Sequence, residues 1–366
     1  VGLTPPTVTV IVNELIEDRI VQEVGYGKSS GGRRPVMLEL NPKAAYIFAV
    51  RLQRGEAVTA LFDLGGNVLN HHKRTLDTTD ADEVLEALGN SFDWLINDTG
   101  IEKRMVLGCG LASPGLINIQ RGVIVHSSNL QWDQVPLGAM LSKRLYGIPV
   151  HVENISNAAA LAEKEYGSGR GYHNLIYINL SVGVGAGIII DGEIYHGSRG
   201  YAGEIGHANL IPKRGPQCIC GRSGCIEAIC GVRAILERMK EEIPEEVFEK
   251  HGLHKNKLNT QDLFLPALLE NIETKRILHE TGEWVGIVAA NLVSIFNPSL
   301  IILGGEVPET GDEFAKTVVE TMNQYVLKEF VGTAKVVNSS MEEDPPLLGV
   351  YTLALEDLFS IENWDY

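Results

Sequence analysis

The spacing of apolar residues along this chain changes several times, and each change marks an element. After Thr4-Pro5-Pro6, the residues Val8, Ile11, Val12 and Leu15 recur at helical spacing. They predict a helix over residues 4–17, with Thr4 as N-cap and proline in the first turn. Thr7, Thr9 and Asn13 fall outside its apolar face. Residues 20–24 then read as a short strand, and Val36, Leu38 and Leu40 alternate as its return partner. Between them, Gly25 to Pro35 is a glycine-rich basic loop without an acidic residue. Helix, strand, basic loop and strand match the second half of a winged helix-turn-helix, with residues 4–17 as recognition helix and 25–35 as wing. A helix followed by a hairpin with a solvated loop fits the same pattern, because short helix-turn-helix matches are common.

Beyond Asn41-Pro42 the pattern becomes α/β. Strands are expected at 46–52 and 57–63, with a third after the turn Gly65-Gly66-Asn67. A helix follows at 81–98, then an apolar strand at 105–111 running into Ala112-Ser113-Pro114-Gly115. A similar order returns later. A strand at 175–180 leads into the glycine-rich segment Ser181 to Gly187, a hairpin at 188–194, a helix at 283–296 and a buried strand at 300–305. This repetition predicts a duplicated α/β fold of two lobes, with ligands bound at strand C-termini and in the cleft between lobes.

A chain of 366 residues is too long for one core. Its 44% hydrophobic and 21% charged content places it among soluble globular proteins. No apolar stretch reaches membrane-spanning length, and no signal-peptide pattern is visible. A formal net charge of −16 argues against nucleic acid as a partner of the whole chain, although the basic arm at 25–35 is hidden in that average. The chain opens at Val1, inside the expected winged domain, which predicts an upstream segment outside it.

The candidate chemistry is concentrated in one stretch. Three of the five cysteines, Cys218, Cys220 and Cys225, fall within eight residues, with His207 upstream. Clustered thiols of this kind suit metal binding in a reducing cytoplasm better than a disulfide framework. Three thiolates and an imidazole would close a tetrahedral zinc shell with no position left for a reactive water, so the expected role is structural. Glu204 and Glu227 flank the cluster. With the loop fixed by metal, both carboxylates can be aimed at a ligand. Carboxylates accept hydrogen bonds from sugar hydroxyls, and an amide such as Asn154 both donates and accepts. Other features take plainer readings. His71-His72 and the acidic run Glu241-Glu242 with Glu245-Glu246 are solvated. Cys109 and Cys230 are buried and inert, and Trp132 and Trp284 belong to core or interface.

Gly203-Glu204-Ile205-Gly206-His207, followed by the Cys218–Cys225 run and Glu227, resembles the signature of the ROK family of repressors, open-reading-frame proteins and sugar kinases. Ser113-Pro114-Gly115 is similar to the family's sugar-loop segment. Glu153-Asn154 with Asn157-Ala158-Ala159 is similar to its E-N-D-x-N-x-A run, and Gly31-Gly32-Arg33-Arg34-Pro35 to the wing of its repressor branch. The resemblance implies an actin-like, ribonuclease H-like duplicated fold preceded by a partial winged helix-turn-helix. It also implies sugar contacts at Asn154, Glu204, His207 and Glu227, with Gly115 and Ser128 placed by their loops. His207 would turn one ring nitrogen to zinc and the other to sugar.

Kinase members of the family carry a D-x-G-G-T-K phosphate loop, a G-T-G-x-G-x-G segment and the E-N-D aspartate as general base. Here the first aligns with Arg51-Leu52-Gln53-Arg54-Gly55-Glu56. The second reads Ser181-Val182-Gly183-Val184-Gly185-Ala186-Gly187, and the base position is Ile155. An isoleucine accepts no proton. The sequence therefore predicts a sugar-responsive, xylose-repressor-like transcriptional repressor with no catalytic residue, structural zinc and no ATP requirement. Thr7, Thr9 and Asn13 are its expected major-groove residues. Lys28, Arg33 and Arg34 are its expected phosphate or minor-groove residues. Operator DNA, a monosaccharide effector and a second copy of the chain are the expected partners, as a dimer or a dimer of dimers. The expected domains are 1–41, the partial winged arm; 42–158, a first lobe completed by 345–366; and 159–344, a second lobe bearing the zinc loop. An active sugar kinase of the same family is the alternative. A sugar-binding scaffold whose arm does not bind DNA is a third reading.

Overall fold

The computed structural model describes residues 2–27, 34–211 and 215–359. Contacts divide the chain into two compact units. One takes in the chain up to Leu111, Pro136–Val152 and Val350 onward; the other holds Ala112–Val135 and Glu153–Gly349.

The first unit opens with α1 (Pro5–Glu17), β1 (Val21–Tyr26) and β2 (Val36–Leu40). β1 and β2 form an antiparallel ribbon with an irregularity between Glu23 and Gly25, closed by Gly27 N–H donating to Pro35 O at 2.9 Å. Thr4 has cap geometry, but its hydroxyl meets Thr7 Oγ at 2.8 Å and caps no backbone N–H. The expected apolar face is only partly covered. Val12 and Leu15 are half-buried, whereas Val8 and Ile11 are 42% and 40% exposed. Asn41 ties the arm down: its N–H donates to Ile20 O and its side-chain amide to Arg19 O.

The unit continues through β3 (Tyr46–Gln53), β4 (Glu56–Asp63), β5 (Val68–Thr75), α2 (Ala81–Thr99), β6 (Val106–Ser113), α3 (Leu137–Arg144) and β10 (Val150–Asn154), and ends on α11 (Pro345–Phe359). Its sheet has the order β10-β6-β3-β4-β5. Phe48 meets Phe92 edge-on at 5.2 Å, and Phe62 stacks on Tyr351 at 4.7 Å, so strands, α2 and α11 share one core. Gly110 is required at this contact, because a Cβ there would lie 2.0 Å from Val350 O. His72 is not simply solvated: its ring packs on Trp94 at 4.7 Å, and burial lowers its pKa, with Arg74 and His71 adding to the effect. Cys109 is fully buried, as expected, and burial pushes its thiol up.

The second unit carries a small antiparallel sheet of β7 (Leu116–Asn118), β8 (Val123–Ser127) and β9 (Trp132–Val135). It continues through α4 (Ile155–Glu165), β11 (Leu175–Leu180), β12 (Val184–Ile190), β13 (Glu193–Ile194), α5 (Glu227–Cys230), α6 (Val232–Glu242), α7 (Glu245–Glu249), α8 (Pro266–Leu269), α9 (Ile272–Phe296), β14 (Leu300–Gly304), α10 (Asp312–Tyr325) and β15 (Lys335–Asn338). Its main sheet has the order β13-β12-β11-β14-β15, with β11, β14 and β15 parallel. α9 starts well before the expected residue 283. Asn271 caps it by accepting from Glu273 and Thr274 N–H, and its first turns are polar, which hides them from a search for apolar spacing. The acidic run is also less free than expected. Glu242 joins Arg238, Arg276 and Glu280 in one ion-pair cluster across α6 and α9. Trp132 and Cys230 are buried and Trp284 is half-buried. Among the described residues, no helix is long and apolar enough to cross a membrane.

Candidate functional site

Every residue predicted to contact a sugar lies in the second unit. Asn154 ends β10 and caps α4: its carbonyl oxygen accepts from Ser156 N–H at 2.8 Å. Its amide nitrogen donates to Gly115 O at 3.1 Å and reaches Glu204 Oε1 at 3.5 Å. Gly115 sits at φ +112°, and a Cβ there would lie 2.5 Å from His126 O, so only glycine lets the loop pass β8 this closely. Asn154, Gly115 and Glu204 therefore form one hydrogen-bonded group from three distant stretches of sequence.

Glu204 is held by its neighbour. Gly203, at φ +89°, packs so tightly on β12 that a Cβ would lie 2.0 Å from Ala186 O, and its carbonyl accepts from Ala186 N–H at 2.8 Å. Burial, then the charge of Glu227, pushes the Glu204 carboxyl up to about 7. Burial raises Glu227 as well, against the N–H of Val184, which donates to its Oε2 at 3.1 Å.

His207, Cys218, Cys220 and Cys225 offer ligand atoms that all lie within 4.8 Å of one another. Cys220 Sγ and Cys225 Sγ are 3.7 Å apart, and Cys218 Sγ is 3.8 Å from His207 Nδ1. Zinc–sulfur bonds of about 2.3 Å in a tetrahedron give sulfur–sulfur edges of about 3.8 Å, so the donor set and its spacing fit a closed metal shell. His207 turns Nδ1 toward the thiols, which leaves Nε2 for another partner. Burial, then Arg222 and His126, lowers the His207 pKa and favours the neutral imidazole that a metal needs. Burial pushes Cys218 up to about 12. At Cys220 burial acts the same way but is outweighed by the backbone and side chain of Arg222, and the thiol falls to about 7.

Ser128 is half-buried, and its Oγ lies 3.1 Å from His126 Nε2, whose Nδ1 lies 2.7 Å from Asp133 Oδ1. The chain of three polar groups follows from register, because His126 and Asp133 are direct cross-strand partners of β8 and β9. Sequence reasoning missed Asn129. A Cβ on Gly183 would meet the Asn129 amide nitrogen at 3.0 Å and Glu227 Oε2 at 3.4 Å, so the two polar groups converge on that glycine. A signal was available in the polar Ser127-Ser128-Asn129 run between apolar Val125 and Leu130.

The two segments that resemble phosphate loops both belong to hairpins. Arg54-Gly55 is a tight turn between β3 and β4, and Glu56 is engaged by Arg51 at 2.9 Å and Lys73 at 2.6 Å. Gly185 and Gly187 lie within strand β12 rather than in a turn. They pack on the first turn of α4, where a Cβ would lie 2.7 Å from Ser156 Oγ and 2.2 Å from Ser156 O respectively. Ile155 is the first residue of α4.

Of the residues expected to meet DNA, Thr7, Thr9, Asn13 and Arg34 are exposed. Thr9 Oγ donates back to Pro5 O at 3.0 Å. Lys28 and Arg33 lie outside the described residues.

The ROK family pattern matches residues 47–357. The chain is 31% identical over 367 residues to the xylose repressor of Caldicellulosiruptor bescii, covering 100% of this chain and 92% of that protein. It is 33% identical over 268 residues to the glucokinase of Halalkalibacterium halodurans, covering 71% of this chain and 80% of that one. Among solved structures, a ROK family transcriptional regulator, a homolog of the Escherichia coli Mlc protein, matches with TM-score 0.79 and 26% identity, over 97% of this chain and 90% of that chain. A glucokinase from Streptomyces griseus in complex with glucose and AMPPNP matches with TM-score 0.76 and 26% identity, over 85% and 99%.

Proposed function

This chain belongs to the ROK family, and from that premise we propose that it is a sugar-responsive, DNA-binding repressor of carbohydrate-utilisation genes. One observation carries the reading. The repressor of C. bescii aligns along the whole chain, arm included, whereas the glucokinase of H. halodurans aligns with 71% of it. The residues agree. In this reading Ile155, which accepts no proton, fills the position of a sugar kinase's base, and the segment aligned with a phosphate loop carries the Glu56 carboxylate, paired with Arg51 and Lys73, where phosphate would be repelled.

In this reading Asn154, Glu204, His207 and Glu227 hold the sugar, with Ser128 beside them and Gly115 shaping the loop. A zinc ion held by His207, Cys218, Cys220 and Cys225 supplies rigidity, since four protein ligands leave it no open position. The clamp matters because the described residues of loop 196–231 have little regular structure of their own. Fixed in place, Glu204 and Glu227 accept from sugar hydroxyls and His207 donates through Nε2. Thr7, Thr9 and Asn13 face base edges, and Lys28, Arg33 and Arg34 meet phosphates or the minor groove. One helix and one wing make a small reader, so two copies bind a palindromic operator. Sugar controls the operator only by binding the DNA-competent and DNA-incompetent states with different affinity.

Incubation with ATP, magnesium and a sugar panel separates this reading from the kinase alternative. No phosphate transfer is expected, and clear transfer contradicts the repressor reading. Gel shifts on the DNA upstream of its own operon test the arm. A sequence-dependent, salt-sensitive shift is expected, and its absence favours a sugar-binding scaffold.

A further inference from the structure

His196 lies outside every group so far assigned, on the loop between β13 and Glu204, and its ring Nε2 is 2.7 Å from Glu153 Oε2. Glu153 is 1% exposed and immediately precedes Asn154. Its other oxygen accepts from Asn154 N–H at 2.6 Å and from the Asn157 amide at 3.0 Å. A buried carboxylate is costly unless donors satisfy it, and here three do: two from the α4 cap and one from a distant loop. Because the carboxylate accepts, His196 carries its proton on Nε2 in this pair.

The backbone extends the link. His196 O accepts from Ala202 N–H at 3.1 Å, which folds residues 196–202 into a closed turn. The turn leads into Gly203, pinned on Ala186, and then Glu204. On its other side Asn154 reaches Glu204 directly, at 3.5 Å. Asn154 and Glu204 are thus joined twice: by a long, weak contact facing the site, and by the shorter, buried His196–Glu153 pair behind it. The 3.5 Å contact sits at the edge of hydrogen-bonding range and cannot hold the geometry alone.

We propose that His196 is a positioning residue: through Glu153 it fastens the loop bearing Glu204 to the strand end bearing Asn154, so that the two sugar contacts move as one. The proposal rests on the sugar reading above and adds to it a residue that touches no sugar. A pair serving only the loop's own fold would leave Asn154 indifferent to His196.

The test uses the whole chain with zinc bound. His196→Ala removes the donor, and His196→Gln returns an amide donor. Wild type and both variants are measured for binding of xylose, glucose and N-acetylglucosamine, for zinc content, and for amide hydrogen exchange. His196→Ala is expected to weaken the bound sugar about tenfold or more, as loss of a hydrogen bond to a buried charge does. It is also expected to raise exchange at residues 202–205 and 154–157 together, at unchanged zinc content. His196→Gln is expected to recover most of both. Unchanged affinity in His196→Ala, or exchange rising at 202–205 alone, overturns the proposal. A wild type that binds none of the three sugars refutes the sugar reading, and joint or separate exchange still decides whether His196 fastens the two segments.

Discussion

In the sheet β10-β6-β3-β4-β5, the first hairpin turns at Arg54-Gly55 and is closed by the Arg51–Glu56 ion pair. In the sheet β13-β12-β11-β14-β15, the matching hairpin turns at Ser181–Gly183, and the carboxylate of Glu227 takes the first N–H beyond it. Strand order is the same in both: a hairpin of three strands followed by two more on the other side of the first. The segment after the third strand differs. In the first sheet β5 passes through residues 76–80 directly into α2. In the second, residues 195–231 intervene before α6 and carry Glu204, His207, the three cysteines and Glu227. The frame is generic; the candidate metal ligands and both carboxylates of the proposed sugar site lie in what one copy inserts and the other lacks. The first copy has closed its own turn with charges that satisfy each other.

The comparison breaks most sharply at the metal. Cys220→Ser is expected to lose bound zinc and to melt the inserted loop, because a structural zinc site contributes on the order of 10 kcal/mol. Metal analysis after purification, with a thermal melt, checks it; unchanged metal content contradicts the ligand assignment. A chelator is expected to reproduce the effect in the wild type.

The second test is pH, on the folded protein as purified. The folded carboxyl of Glu204 is raised from its usual 4.5 to about 7, so the folded state holds a proton that the unfolded state has released. Stability from this group is full below about 4.5 and falls as pH rises toward about 7, by a few kcal/mol at most. Denaturant midpoints across that window should decline in the wild type and decline less in Glu204→Gln. Parallel curves contradict the burial argument.

Smaller effects test the shared frame. Gly110→Ala forces a methyl against the carbonyl of Val350 and should cost about 1–3 kcal/mol in stability, without altering sugar affinity of the folded fraction. Altered affinity would mean that frame and insertion are not separable. Asn154→Ala removes the cap of α4, for a loss of about 1 kcal/mol, and should also abolish sugar binding. A cap loss with unaltered sugar binding removes Asn154 from the site.

Much of this was legible in the sequence because the physics is local. Alternation marked the hairpins, the apolar run 300–304 marked a buried strand, and the spacing of Cys218, Cys220 and Cys225 marked a cluster whose ligand atoms converge with that of His207. What escaped depended on partners far along the chain. β7, β8 and β9 are too short and mixed to show a period, and Asn129 gains meaning only beside Gly183 and Glu227. The glycines of β12 did not read as part of a strand because their reason, the close approach of Ser156, is tertiary. His196 carries no local signal, because its partner Glu153 lies 43 residues away in the chain. Val8 and Ile11 of the arm show the converse: a clear helical period that stays exposed among the described residues.

The account stands most directly on operator binding measured with and without sugar. Fluorescence anisotropy would follow the protein on its own upstream palindrome, with xylose, glucose or N-acetylglucosamine added, for wild type and Glu204→Ala. The account predicts that one sugar shifts the wild-type midpoint about tenfold or more, and that Glu204→Ala binds the same DNA equally well with no shift. A wild type indifferent to all three sugars, or an equal shift in Glu204→Ala, would contradict it.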